Sequence, residues 1–371
     1  MAQVDDTTPT SLRPIATAFC SEAASLATTG AALSVQTPGG ESLHITYGRR
    51  CRGRAEGVDR RTMFRWGSIS KVVTSLAVLS TLNSRGGSPA ATIGAWFPEL
   101  ESSWAAKLPV RSLLTHTSGL AAFDEDGTVA SLDEFFSWVR DQAPPTAPSP
   151  HAYRNTNHIL LGVLLERMTG RPWELAIREQ VLAPLNLEVV VDPLAPPVDN
   201  AACGHIADGP PIPPGEDYRA LLTAKPWLRP AGALSGSAAQ LARLGVFFLG
   251  SEAHLEPLAH ARGIMSTPAG VAADHGPVPL TGGALLFTPG MFAGQRAPSD
   301  LNRESTTPAP PDVLYHRGST PAFHADLVIF PPRSGAPSPA RGGVVAILDN
   351  SGHMYGATLA AASRALSNLR D

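Results

Sequence analysis

Residues 64–82, FRWGSISKVVTSLAVLSTL, constrain this chain more than any other stretch. Val72, Val73, Leu76, Leu79 and Leu82 recur at helical spacing, and the positions between them are mostly small. A helix that is apolar nearly all round has no face to give to water, so it must lie inside the molecule. One residue fits this badly. Lys71 opens the helix, and it is one of only three lysines, with Lys107 and Lys225. The chain therefore has to bury an ammonium group or turn it to use.

The rest of the order follows from periodicity. Residues 12–28 read as a helix. Residues 31–37 and 42–48 read as strands joined at Pro38-Gly39-Gly40, a hairpin signal. Residues 156–169 predict a second strongly apolar helix, stopped at Gly170. The next helix takes Pro172 into its first turn and runs through WELAIREQVL, and another covers 237–249. AFHADLVIFP (322–331) and GGVVAILDNS (342–351) read as strands, and a helix over 354–369 closes the chain. Strands at both ends with helices between predict an α/β (α+β) fold. Its antiparallel sheet is flanked by helices from both termini and carries a mostly helical insertion. The expected division is 1–75 with 240–371 for the sheet domain and 76–239 for the helical one, with the site between them. Pro-rich stretches at 143–150, 192–215 and 296–312 read as surface loops that shape a site.

Ser68 and Lys71 are the chemical feature. A serine at a buried helix N-terminus sits where backbone N–H groups favour developing negative charge. Lys71 lies three residues on, one turn deeper on the same face. Burial strips hydration from its ammonium, lowers its pKa and lets it act as a base toward the serine. The bland alternative makes Ser68 a helix cap and Lys71 a snorkelling side chain.

Other chemistries find little support. There is no GxSxG elbow, no dinucleotide or phosphate-binding glycine loop and no HExxH. His254 and His260 form the nearest approach to a histidine cluster in their region, and no metal or other cofactor is expected. The net charge of −3 suits no polyanion, so nucleic acid is not an expected partner. No apolar run is long enough for a bilayer, and the first residues lack an export-signal pattern. Cys20, Cys51 and Cys203 are odd in number and far apart. They are read as reduced thiols in a cytoplasmic protein.

Two further segments complete a pattern. Tyr153-Arg154-Asn155 directly precedes the apolar helix at 156–169, and Tyr315-His316-Arg317-Gly318-Ser319 precedes the strand at 322–331. With Ser68-x-x-Lys71 and the flanks VRSLLTHTSGL, YRNTNHILLGVLLERMTGRPWE and RPAGALSGSAAQLARLG, the chain resembles the serine β-lactamases and DD-peptidases. The likeness is greatest to their class C-like branch of esterases and transacylases, and covers most of 60–190 and 227–350.

The resemblance implies Ser68 as nucleophile, Lys71 as its base and Tyr153 as proton relay. Asn155 would bind Lys71 or the substrate, or cap its helix. The backbone N–H groups of Ser68 and Ser319 would form the oxyanion hole, with Gly318 keeping the strand edge open. His316 stands where β-lactamases commonly have lysine, which disfavours β-lactam hydrolysis. Arg154 and Arg317 are possible substrate contacts or solvated side chains, and His116 holds a turn near the site. The expected activity is hydrolysis of a small-molecule ester or amide. The alternatives are acyl transfer to an alcohol or amine acceptor, a DD-peptidase or β-lactamase, and a non-catalytic binding protein.

Overall fold

The computed structural model describes residues 3–4, 9–37, 40–125, 127–146, 151–191, 200–207, 209–214, 216–250, 255–271, 285–294, 313–332 and 342–368. Of the Pro-rich loops expected to shape the site, 296–312, 192–199 and 147–150 lie outside these residues, as does His254.

Ten α-helices and twelve strands are described. The helices are α1 (Arg13–Ser25), α2 (Ser70–Ser84), α3 (Val110–Leu114), α4 (Leu132–Arg140), α5 (Asn155–Thr169), α6 (Trp173–Ile177), α7 (Glu216–Ala224), α8 (Ala238–Phe248), α9 (Leu258–Met265) and α10 (Gly356–Asn368). The strands are β1 (Gln3–Val4), β2 (Gly30–Gln36), β3 (Ser42–Gly48), β4 (Phe64–Arg65), β5 (Val190–Val191), β6 (Leu234–Gly236), β7 (Gly270–Val271), β8 (Leu285–Thr288), β9 (Met291–Gly294), β10 (Val313–Ser319), β11 (His324–Phe330) and β12 (Gly343–Asp349). Nine strands form one sheet in the order β1-β3-β2-β12-β11-β10-β9-β8-β7, and β4-β6-β5 form a second. Neighbouring strands pair antiparallel throughout. The α/β fold expected from strands at both termini is the one observed.

The period of two decides which face each side chain meets. In β11 and β12, Val328, Phe330, Val345 and Ile347 face one way, and pack with Ile15 and Phe19 of α1 and Leu359 of α10. Their neighbours Ala325, Leu327, Ile329, Val344, Ala346 and Leu348 join the larger core with α2, α5 and α8. Every residue of both strands is buried. This explains their continuous apolar runs, since central strands covered on both faces have no solvent side.

In α2 every residue from Ser70 to Leu82 is buried, each large aliphatic contributing about 1.5–3 kcal/mol. The expected domain boundaries at 75/76 and 239/240 fall inside α2 and α8. Helix α5 ends at Gly170 in the left-handed conformation, φ 68°, as a glycine stop requires. Pro172 caps α6 one position before its first turn, and the following residues Arg178–Leu182 continue as a π-helix. Helix α4, which the sequence reading passed over, carries a full capping box from Ser131 and Glu134.

The cysteine reading needs correction. Cys51 and Cys203 form a disulfide across 152 residues, and Cys20 is free. The local backbone brings them together: Cys203 N–H donates to the Arg50 carbonyl at 2.9 Å. Such a contact between distant segments leaves no mark in spacing. No helix among the described residues is long and apolar enough to cross a membrane.

Candidate active site

Strand β4 pairs with β6, and Trp66 N–H donates to the Leu234 carbonyl at 2.8 Å. This sets the entry to a 3₁₀ turn, Gly67–Ile69, that runs straight into α2. Gly67 takes φ +50°, and a Cβ there would sit 3.0 Å from Ser319 N. Gly318 has no room for a side chain either, since its Cβ would meet the Trp66 carbonyl oxygen at 1.8 Å. Two glycines thus let the Ser68 turn and the end of β10 touch backbone to backbone. Gly318 serves this approach. Ser70 points away from Ser68: its hydroxyl donates to Gly67 O at 2.7 Å and accepts from Leu234 N–H at 3.0 Å.

Lys71 is fully buried, which rules out snorkelling. Its Nζ lies 2.8 Å from Ser68 Oγ and donates to the Ala231 carbonyl at 2.7 Å. That carbonyl is held in place because Gly162 of α5 leaves room for Pro230, whose ring lies 2.0 Å from where a Cβ would be. Burial drives the Lys71 pKa down to about 7, and the Glu125 carboxylate pulls it partly back up. The capping alternative for Ser68 also fails, since α2 has no side-chain cap and Ile69 holds that position.

Tyr153 completes the group. Its ring lies 5.1 Å from Lys71 Nζ, and its hydroxyl interacts with Ser68. Burial raises its pKa, with the Ser68 hydrogen bond acting in the opposite sense. His116 positions it. The two rings stack at 4.5 Å, the His116 carbonyl accepts from Ala152 N–H at 2.8 Å, and Nδ1 accepts from Arg154 N–H at 3.1 Å. His116 itself is held at φ +54°. It holds the turn, as expected, by clamping the backbone on both sides of Tyr153.

His316 is buried, and its Nδ1–H donates to the Arg317 carbonyl at 2.9 Å. Burial and the nearby Lys71 depress its pKa to about 3, so the ring is neutral. Arg317 is a correction to the list of possible substrate contacts. Strand alternation turns it to the opposite sheet face, where Nε donates to Asp326 Oδ1 at 3.0 Å. Asp326 also takes His324 Nε2 at 2.9 Å. Arg154 spends Nη1 on the Tyr153 carbonyl at 2.9 Å and does not line the cleft.

The cleft holds about 430 Å³ of empty space open to solvent. Gly67, Ser68, Asn155, Ser319 and Thr320 line it together with Leu222, Leu228 and Ala231. Glu125 lines it too, and the sequence reading missed this residue. It sits in an irregular loop, and only the fold brings its Oε1 to the Asn155 amide, which donates to it. Asn155 therefore contacts Glu125, not Lys71, and the cap of α5 belongs to Arg154.

A serine, a lysine of depressed pKa and a tyrosine in mutual contact beside an open cleft can support acyl transfer through the serine. The profile of the family described as Beta-lactamase matches residues 15–366. The chain belongs to the Beta-lactamase family.

Curated relatives include Penicillin-binding protein 4 of Amycolatopsis lactamdurans, 29% identical over 169 residues, 43% of each chain. A Beta-lactamase of Providencia stuartii is 25% identical over 162 residues, 43% of this chain and 41% of that one. Each match thus spans less than half of the relative's length. Among solved structures, a class C beta lactamase from Rhodobacter sphaeroides superposes with TM-score 0.75 at 20% identity, over 97% of this chain and all of that one. SurE gives TM-score 0.71 at 22% identity, over 96% of this chain and 76% of that one. At these identities the structural likeness shows the shared fold.

Proposed function

We propose that this Beta-lactamase family member hydrolyses an ester or amide of a small molecule through an acyl-enzyme on Ser68. The observation that carries the reading is the 2.8 Å contact between Ser68 Oγ and the Nζ of a fully buried Lys71 with a pKa near 7. At neutral pH about half of this amine is free base. In that form the direction of the contact reverses, and the Ser68 hydroxyl donates to Nζ as it attacks. Tyr153 passes the proton to the leaving group and then takes one from water. The N–H groups of Ser68 and Ser319 hold the oxyanion.

The third motif argues against β-lactams as preferred substrates. His316 is neutral and Arg317 faces away, paired with Asp326. The motif therefore offers no cation to a β-lactam carboxylate. The disulfide favours an oxidising compartment over the cytoplasmic address read from the cysteines. The test compares kcat/KM for p-nitrophenyl esters and nitrocefin, then adds millimolar amines and alcohols to the ester reaction. Faster ester turnover with mostly free acid supports hydrolysis. Capture of most acyl groups by one acceptor would make transfer the function, and faster nitrocefin turnover would overturn the reading of the third motif.

A further inference from the structure

We propose that the cleft selects acyl donors that carry a free ammonium group beside the reacting carbonyl, with Glu125 as its counter-ion. The inference rests on the acyl-enzyme reading and names the substrate class of that same site. Among the described residues that line the cleft, Glu125 is the only charged one. It shares the cleft with Ser68 and stands close enough to act electrostatically on both Lys71 and Tyr153. A substrate bound to Ser68 therefore lies in its field.

The carboxylate is aimed rather than solvated at random. Asn155 Nδ2 donates to Oε1 and fixes the group's orientation, and among the described residues no donor reaches Oε2. The loop is held from behind by Lys225, whose Nζ donates to the carbonyls of Glu125 at 2.7 Å and Gly127 at 3.0 Å. That ammonium is spent on backbone oxygens. Among the described residues Arg154 gives Nη1 to the Tyr153 carbonyl. Lys71 lies behind Ser68, bonded to Ala231, and Arg317 is on the far face of the sheet. Beside Glu125 a substrate anion would be repelled, whereas an ammonium would find a fixed acceptor. Leu222 and Leu228 also line the cleft and offer apolar contact to an aliphatic group, so the donor expected is an α-aminoacyl ester or amide with an aliphatic side chain.

The covalent step balances without a co-reactant. Ser68 Oγ bonds the acyl carbon, the ester C–O bond breaks, and the Ser68 proton reaches the leaving alkoxide through Lys71 and Tyr153. Water then cleaves the Ser68 ester and releases the amino acid. The ammonium keeps its proton throughout and takes no part in bond making.

The test uses two p-nitrophenyl esters of nearly equal shape, alanyl and isobutyryl, in which an ammonium replaces a methyl group. The readout is their ratio of kcat/KM, corrected for spontaneous hydrolysis. In the native enzyme the ratio should favour alanyl about tenfold or more, as expected for a charge-assisted hydrogen bond. Glu125→Gln keeps an acceptor for Asn155 but removes the charge. It should collapse the ratio about tenfold, mainly through KM for the alanyl ester. Independently of any variant, isopropylammonium should inhibit isobutyryl turnover competitively, and isobutyrate should not. A native ratio near one, or a ratio unchanged by Glu125→Gln, would overturn the inference. The second result would show that Glu125 does not distinguish the two acyl groups. If neither ester acylates Ser68, the proposed function itself fails, which is a separate outcome.

Discussion

Acidification should silence acylation along a curve set by one residue. An ordinary lysine has a pKa of 10.5, and burial brings Lys71 to about 7. At pH 7 an unperturbed amine would be free base in about one molecule in 3,000, against about one in two here, a gain of roughly a thousandfold. Below pH 7 the acylation rate should fall about tenfold per pH unit, so that at pH 5 it stands about a hundredfold below its plateau. Above pH 8 it should be flat. Two neighbouring histidines titrate outside this window. His316 lies near 3, and His158 is pushed well below its usual value by burial and the charges around it. Glu125 raises the Lys71 pKa, so Glu125→Gln should move the midpoint to lower pH. The assay is single-turnover acylation with p-nitrophenyl acetate from pH 5 to 9 at fixed ionic strength. A flat profile, or a midpoint near 10, would refute Lys71 as the base.

Tyr153→Phe should slow single-turnover acylation by about two orders of magnitude or more while circular dichroism stays unchanged, as for a group acting as one unit with the nucleophile; near-native acylation would remove Tyr153 from the relay. Gly318→Ala would put a methyl group 1.8 Å from the Trp66 carbonyl and displace Ser319 N–H. An oxyanion donor is worth about 10²–10³ in rate, so labelling should slow at least tenfold, with thermal melts confirming a folded protein. Unreduced, denatured protein should alkylate at Cys20 alone, and Cys51→Ser should destabilise the fold by up to about 5 kcal/mol for a closed loop of 152 residues, measured by urea unfolding. Three alkylated thiols would contradict the disulfide.

Which features could be read from the sequence depended on how far apart the interacting residues lie. Ser68 and Lys71 are three residues apart on one helix, so helical geometry alone predicts their contact, and the structure gives 2.8 Å. The strands β11 and β12 and the helices α2 and α5 were legible because burial writes apolar runs into them. Arg317 was legible in principle. His316 faces the site, so an alternating strand must turn Arg317 away, and the Tyr315–Ser319 segment was read as a motif before a strand when it is the end of one. Glu125 and the Cys51–Cys203 pair were not legible. Each depends on segments brought together by tertiary packing, across 30 and 152 residues, with no periodicity to announce it.

The central claim is a covalent acyl-enzyme on Ser68. Intact-mass spectrometry after reaction with a fluorophosphonate or an activated ester tests it most directly, with peptide mapping to locate the adduct. The account predicts one adduct per chain, on Ser68, forming more slowly as pH falls below 7 and absent from Ser68→Ala. Equal labelling of Ser68→Ala, or an adduct mapped to another residue of the native protein, would contradict it.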